Sequence, residues 1–520
     1  MIISLTLSRV LGIARDMAMT AAIGFDRRTD AYTFAFKIPD LLFFLIAGGA
    51  LSSAFIPVFS EYLHTDREED AWKIFSVVTT LMSIIVILFI VLAWIFADPL
   101  TYLIAPSDKI DHVRSLVVYM SRIVLPAQYA FFIGGLMFGT LYARQKFVAP
   151  GLGPNVYNLG IIFGALVLSH FCTPGVIGMS WGALIGATIG NLVIPYFIMR
   201  RLGCPFKPSL DYKHPGVRKV FALMLPVVLG LSLPAVYGII MQAFGSYYGP
   251  GTNTALDLSN KLMQAPLGIF GQSLALAVFP ALTQFYAMKK MDMFRNQFSS
   301  TLRTVLYITV PVSILMFVAA PQLVMMLFAY GKTAGKTASI GMVSDCLRMF
   351  SFGICAWCLH PVLMRGFFAL QKSVTPIILG TFATGLFVGF LLILRATPLQ
   401  YLALPLASSL SAIVLVILLI VFVAPAMKGL DIPGVLLTLV KSSIAGIAMA
   451  GVLLLGQWVL PAGHGLTRNL FAAITIFGFG LVGAWGYYFV SRLLKMPETA
   501  YIDRAIARLD RRRQKATPQE

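Results

Sequence analysis

The chain has 520 residues, 58% of them apolar and only 12% charged, with a mean hydropathy of +0.84. Soluble domains carry about 25% charged residues, so a soluble fold is excluded and an all-α polytopic membrane protein is expected. The formal charge of +19 does not indicate a nucleic-acid partner, because the Lys and Arg fall in loops, in the C-terminal tail or singly inside apolar runs, with no recognition helix or aromatic-lined basic groove among them.

Apolar stretches set against loop signals predict about fourteen spans, near 2–24, 31–62, 73–104, 112–143, 152–172, 176–200, 218–247, 254–287, 297–328, 338–370, 374–395, 401–425, 433–460 and 467–494. Met1 leads straight into the first span without a basic leader or small-residue cleavage site, so no cleavable signal is expected. The first span holds Ser8-Arg9-Val10-Leu11-Gly12-Ile13-Ala14-Arg15-Asp16. A charge at membrane depth costs at least about 2.5–3.5 kcal/mol and persists where it faces a watery cavity or a partner. With two cations to one acid, the expectation is a cavity for something anionic. Arg9 and Arg15 are separated by roughly 240° of net helical rotation, so they do not share one face. Either one of them lines the cavity, or Arg15 and Asp16 pair locally and orient the helix.

In the second span Asp30 reads as an N-cap, and Lys37 and Asp40 share a face. Lys37 reads as a cavity cation, or as a side chain snorkelling from a helix end. Pro39, Gly48-Gly49 and Pro57 predict breaks here; Pro266, Gly268, Gly271 and Pro280 predict them in the eighth span. Arg122, Arg348, Arg365, His360 and Lys441 each sit alone in apolar sequence and read as interface or snorkelling residues.

An internal repeat organises the chain. Leu141-Tyr142-Ala143-Arg144-Gln145-Lys146-Phe147-Val148-Ala149-Pro150 recurs 226 residues later as Phe367-Phe368-Ala369-Leu370-Gln371-Lys372-Ser373-Val374-Thr375-Pro376. Weaker echoes pair Lys37 with Lys261 and Phe55-Ile56-Pro57 with Val278-Phe279-Pro280. The copies lie six spans apart, so both halves share one orientation, a parallel repeat about an axis along the membrane normal. The expected domains are an N-lobe over 1–201, a C-lobe over 217–427, a last helix pair over 432–496 and a basic tail over 497–520. Loops on the side of the termini hold roughly 22 Lys and Arg against roughly 8 opposite, which predicts cytoplasmic termini. The tail, with Arg511-Arg512-Arg513, reads as a headgroup-binding segment for membrane lipids.

The cysteines Cys172, Cys204, Cys346, Cys355 and Cys358 are dispersed; Cys355-Ala-Trp-Cys358 lies in an apolar helix and reads as packing. With no nucleophile motif, phosphate loop or His/Cys/Asp/Glu cluster, neither an enzyme nor a metal or other cofactor is expected.

The first-span run, with Thr29-Asp30-Ala31-Tyr32-Thr33-Phe34-Ala35-Phe36-Lys37-Ile38-Pro39-Asp40-Leu41-Leu42, Gly49-Ala50-Leu51-Ser52-Ser53-Ala54-Phe55-Ile56-Pro57-Val58 and Tyr330-Gly331-Lys332, resembles the MurJ/MviN lipid II flippases of the multidrug/oligosaccharidyl-lipid/polysaccharide exporter superfamily. The resemblance spans the chain. It implies fourteen helices, the last pair forming a groove for the lipid tail, and functional residues at Arg9, Arg15, Asp16, Asp30 and Lys261; with Lys37, the cavity cation read from the sequence, these make the expected substrate-binding set. At Lys261 some relatives carry Arg, so the charge is kept and the fork lost. Phe43, Phe44 and Gly48 stand where some relatives have an Arg-Arg pair and a Glu, Gln264 stands for an acid, and helices 7 and 11 hold no sodium-binding acids.

The resemblance implies transport of lipid II or a similar undecaprenyl-pyrophosphate-linked glycan from the inner to the outer leaflet of the bacterial inner membrane by alternating access. The two phosphates would be held by Arg and Lys. A monomer working beside the cell-wall synthesis machinery is expected. The alternatives are a flippase for another lipid-linked oligosaccharide, a multidrug exporter of the same fold, or a non-transporting scaffold of envelope synthesis.

Overall fold

The computed structural model describes the backbone of residues 2–46, 50–63, 65, 67–146, 148–333, 336–372, 374–427, 429–460, 466–500 and 503. Side chains are described for the same residues apart from 2, 3, 5, 6, 44–46, 50–53, 109, 225–236, 466 and 467. The described residues are helical and connecting segments, with no strand among them. In chain order the helices are α1 (Ile2–Ala22), α2 (Arg27–Ala35), α3 (Lys37–Ile46), α4 (Ala50–Leu63), α5 (Glu68–Ile95), α6 (Ala97–Ile104), α7 (Asp111–Val124), α8 (Ala127–Ala143), α9 (Val148–Leu166), α10 (Val176–Ala187), α11 (Ile194–Arg201) and α12 (Pro215–Gly245). They continue as α13 (Thr252–Pro266), α14 (Gln272–Ala287), α15 (Met291–Val318), α16 (Ala320–Phe328), α17 (Thr337–Ser351), α18 (Ile354–Ala369), α19 (Val374–Arg395), α20 (Ala403–Ala426), α21 (Ile432–Val459), α22 (Leu466–Ala473) and α23 (Gly480–Leu493).

Ten helical stretches among the described residues are long and apolar enough to cross a membrane, or 11 with α17 and α18 taken as one span bent by 47°. The difference from the expected fourteen falls on α1, on α2–α4 and on α12. Arg9, Arg15 and Asp16 lower the apolarity of α1. The second span is interrupted at Phe36 and its residues 47–49 lie outside the described ones, and part of α12 lies outside the described side chains.

Pro39 breaks the second span by a simple mechanism. It has no N–H to give Ala35 O, the carbonyl four residues earlier. Ser121 Oγ on α7 donates to that carbonyl instead, at 3.1 Å, so the interruption leaves no buried orphan. Gly48 and Gly49 lie outside the described residues. In the eighth span Pro266 ends α13, a widened turn over Leu267–Gly271 follows, and α14 continues through Pro280.

The repeat is visible in its turns. Gln145 and Gln371 both adopt left-handed backbone, at φ 58° and 60°. In each turn the amide one residue later bonds back five positions, Lys146 N to Leu141 O at 2.8 Å and Lys372 N to Phe367 O at 2.9 Å. Both copies use the same helix C-cap, which also closes helices at Lys289 and Lys495.

The chain parts into two compact units, Met1–Ala255 with Leu327–Ser339, and Leu256–Met326 with Ile340–Glu520. Within the first, α9 packs on α10 and α1, α2 on α7, and α4 and α5 on α8. The α9–α10 contact is made by glycines: a Cβ at Gly160 would lie 2.6 Å from Gly182 O, the close approach small residues allow in membranes. Within the second unit, α15 packs on α21 and α18, α21 on α23, and α19 on α20. Tyr307, Ala445, Met449, Leu453, Tyr487 and Met496 form its buried cluster, and Tyr487 OH donates to Tyr307 O at 2.8 Å.

The lone ions of the apolar runs have structural partners. Lys441 Nζ donates to Leu494 O at 2.8 Å. Arg122 Nε donates to Trp94 O at 3.1 Å, and Arg348 pairs with Asp345 at 3.1 Å. Arg365 lies over the Phe279 ring, 5.1 Å from its centroid, and the His360 ring meets Trp357 edge-on. The run Arg511-Arg512-Arg513 lies outside the described residues.

Candidate functional site

Helix α1 is stitched to α9 by asparagines. Asn155 Nδ2 donates to Ser4 Oγ at 2.8 Å, and Asn158 Nδ2 donates to Ser8 O at 3.2 Å. The same Asn158 accepts from Arg15 Nη1 through its Oδ1, at 3.2 Å. On its other edge Arg15 donates through Nε to Asp16 Oδ1 at 3.1 Å, with Nη2 3.0 Å from the same oxygen. Asp16 is 6% exposed, and the Arg15 side chain 20%. A guanidinium presents five N–H donors. Arg15 is therefore held in a fixed pose and keeps donors to offer. The local-pair and cavity readings of this residue are compatible: Asp16 fixes the fork without consuming it.

Arg9 is exposed and makes no hydrogen bond or ion pair among the described residues. Lys37 opens α3 just after the Pro39-induced break, half-buried. No ion pair or hydrogen bond links it to Asp40 among the described residues.

Asp30 is 1% exposed and caps the start of another helix. Its Oδ2 accepts from Gly251 N at 2.7 Å; its Oδ1 accepts from Thr254 N and Thr254 Oγ1, both at 2.9 Å. The carboxylate thus satisfies the opening donors of α13 and meets the positive end of its dipole. The N-cap of Asp30's own helix is Asp26, which accepts from Arg28 N and Thr29 N at 2.8 and 3.1 Å. The cap expected of Asp30 on α2 is therefore supplied four residues earlier, and Asp30 is free to bond across the fold.

Lys261 belongs to the second unit, where Asp257, one helical turn earlier, pairs with it at 2.7 Å. The sequence reading missed Asp257, Asn155, Asn158 and Thr254. The four-residue spacing of Asp257 and Lys261 was the available signal; nothing local marks the asparagines, whose partners lie about 150 positions away. The structure thus joins Arg15 to Asp16, sets Asp30 at a separate clasp, and gives Lys261 its own acid. Among the described residues no group of His, Cys, Asp and Glu could hold a metal ion.

Comparison with known proteins bears on the family and the fold of the chain. The family model described as lipid II flippase MurJ matches residues 19–473. The chain is similar to a probable lipid II flippase MurJ of Vibrio cholerae, 26% identical over 500 residues, covering 91% of this chain and 92% of that one. Among solved structures it is similar to a lipid II flippase MurJ in an inward closed conformation, with a TM-score of 0.77, 21% identity, and 95% and 98% of the two chains covered. It also resembles an inward-facing multidrug-resistance transporter of the MATE family, with a TM-score of 0.64 and 15% identity over 82% of this chain and 98% of that one. The two structural likenesses show the fold.

Proposed function

The chain belongs to the lipid II flippase MurJ family, and from that premise we propose that it carries lipid II from the inner to the outer leaflet of the bacterial cytoplasmic membrane. It catalyses no bond-making step. The observation that carries the reading is Arg15, gripped by Asp16 and Asn158 with donors to spare, on a first helix that this reading sets across the membrane. An unneeded charge there costs at least about 2.5 kcal/mol. A pyrophosphate offers the matching acceptors, and Arg pairs with phosphate in a bidentate way where Lys acts as a point charge.

In this reading Arg9, Arg15, Lys37 and Lys261 hold the two phosphates, and Asp16 fixes Arg15. Asp30, like Asp16, holds an arginine in place or releases it. The lobes over 1–201 and 217–427 rock between inward and outward access, and the last helix pair, 432–496, guides the lipid tail. Both termini are cytoplasmic, and the unit of function is a monomer working beside the cell-wall synthesis machinery. An inside-negative potential favours return of the empty cationic cavity, by about 2.3 kcal/mol per charge per 100 mV. A drug exporter of the same fold would need acids free to hold a cationic drug, whereas Asp16 and Asp30 are engaged.

The test is complementation. A bacterial host depleted of its own lipid II flippase is given this chain, or the chain with Arg15→Ala. Growth restored by the wild type and lost in the variant at equal membrane level supports the reading. A well-inserted wild type that neither restores growth nor flips lipid II in vesicles removes it.

A further inference from the structure

A polar cavity lies within the first unit, and Arg15 is not among the residues that line it. Its volume is about 420 Å³, and Asp26, Arg28, Ser169, His170 and Lys332 line it over an apolar floor. Lys336 stands beside it: a Cβ on Gly24 would lie 3.6 Å from Lys336 Nζ and 3.7 Å from Lys332 Cβ. Two left-handed glycines bring these segments together. Gly24, at φ +97°, turns the chain out of α1, and Gly331, at φ +54°, lies where a Cβ would collide with Ala21 O. Arg28, Lys332, Lys336 and His170 are exposed, and none makes a side-chain hydrogen bond or ion pair among the described residues. The one acid, Asp26, is already occupied by the backbone of α2. The start of α10, at Gly175 and Val176, also lines the cavity and has no side-chain cap, so its dipole adds to the positive field.

The side of the membrane makes this cluster unusual. The segments 23–28, 169–176 and 331–336 all fall at the end opposite the cation-rich loops, where Lys and Arg are disfavoured. Roughly 8 cations occupy the loops of that end, and three of them gather at this one cavity. A cavity with a net positive rim, one guanidinium fork, two ammonium groups and an apolar floor selects an extended ligand with several anionic groups.

We propose that this cavity is a second anion subsite at the outer mouth, and that it takes the carboxylates of the peptide arm of the translocated precursor. The substrate named here rests on the flippase reading. In the proposal the pyrophosphate is held at Arg15 while the peptide carboxylates meet Arg28, Lys332 and Lys336 on the side of release, so the head group moves outward between two anion sites.

The experiment uses the full chain in nanodiscs of zwitterionic lipid and, as probe, a soluble stem pentapeptide with free carboxylates. The expected result is binding that weakens at least tenfold when the peptide carboxylates are amidated, and at least tenfold in Arg28→Gln/Lys332→Gln/Lys336→Gln. The amidated peptide tests the site on the unaltered protein, so misfolding of the triple variant cannot mimic the result. Equal binding of the free and amidated peptides overturns the proposal. So does retention of an anionic phospholipid by these three cations without peptide binding, which would make the cavity a headgroup site. Flipping in vesicles is scored separately. Peptide binding without lipid II flipping removes the flippase reading and leaves the subsite, whereas flipping without peptide binding removes the subsite alone.

Discussion

Lys37 and Lys261 occupy matching positions in the two halves of the repeat, yet they are not electrostatic equals. Lys261 lies in the continuous helix α13 and is neutralised by Asp257 one turn earlier, at 2.7 Å. Lys37 starts α3 after a proline break, with Thr33 in the corresponding place and no ion-pair partner among the described residues. A similar contrast runs through the packing. Gly160 and Gly182 seal α9 against α10, whereas Gly380, Gly385 and Gly389 on α19 face open space. The two halves share a backbone plan, visible in the paired turns at Gln145 and Gln371, and diverge in charge. At these matched positions the difference is local: an acid stands one turn before Lys261 and none stands one turn before Lys37.

The largest expected effect follows from removing the gripped cation. Arg15→Ala leaves Asp16 and Asn158 without their partner, which costs about 3 kcal/mol and slows flipping more than about a hundredfold. A vesicle assay at matched protein levels measures this, and a change of less than threefold would contradict the asymmetry. Asp30→Asn comes next. It weakens a charge-assisted cap worth about 2 kcal/mol, so hydrogen exchange at the Gly251 and Thr254 amides should accelerate about thirtyfold. Unchanged exchange would mean that Asp30 does not cap the start of α13.

The packing contrast is sharpened by a pair of substitutions. Gly182→Ala forces a methyl to 2.8 Å from Gly164 Cα and should destabilise by about 1–3 kcal/mol. Gly385→Ala enters open space and should change the thermal midpoint in detergent by no more than about 1 °C. Equal midpoints for the two variants would remove the claim that the α9–α10 seam is specially tight.

Much of this was legible in the sequence, for identifiable reasons. Span positions follow from apolar runs, and the repeat follows from Ala-Arg-Gln-Lys against Ala-Leu-Gln-Lys, where a helix cap demands the same backbone in both copies. The charged first helix marked Arg15 because a charge in lipid needs a reason. What stayed hidden are partners distant in sequence. Asn158 looks like any polar residue of an apolar helix until α9 lies against α1. Asp30 reads as a local cap because Asp26, only four residues earlier, has the same chemistry; only the fold shows which acid caps which helix.

Two smaller effects complete the comparison. Asp257→Ala frees Lys261 and should leave stability within about 0.5 kcal/mol, since the pair is partly exposed. Binding of the pyrophosphate should tighten a few-fold, read as a lower KM for flipping. Weaker binding would show that Asp257 positions Lys261 productively. Lys73 pairs with Asp211 at 2.9 Å, and the hydrogen bond from Lys73 holds the Asp211 carboxyl below its ordinary value. A depressed carboxyl contributes at neutral pH and loses its contribution only as pH falls through the lowered value. Stability should therefore be flat between about pH 6 and 8 as far as this pair is concerned, and Asp211→Asn should not alter that profile.

The most direct measurement is the flipping of fluorescent lipid II by purified protein in vesicles, comparing the wild type with Lys37→Ala and Lys261→Ala. The account predicts that wild type flips, that Lys37→Ala loses at least tenfold in rate, and that Lys261→Ala loses less. Equal losses, or a larger loss at Lys261, would contradict the claim that Lys37, with no acid one turn away, does more to hold the pyrophosphate than the acid-paired Lys261.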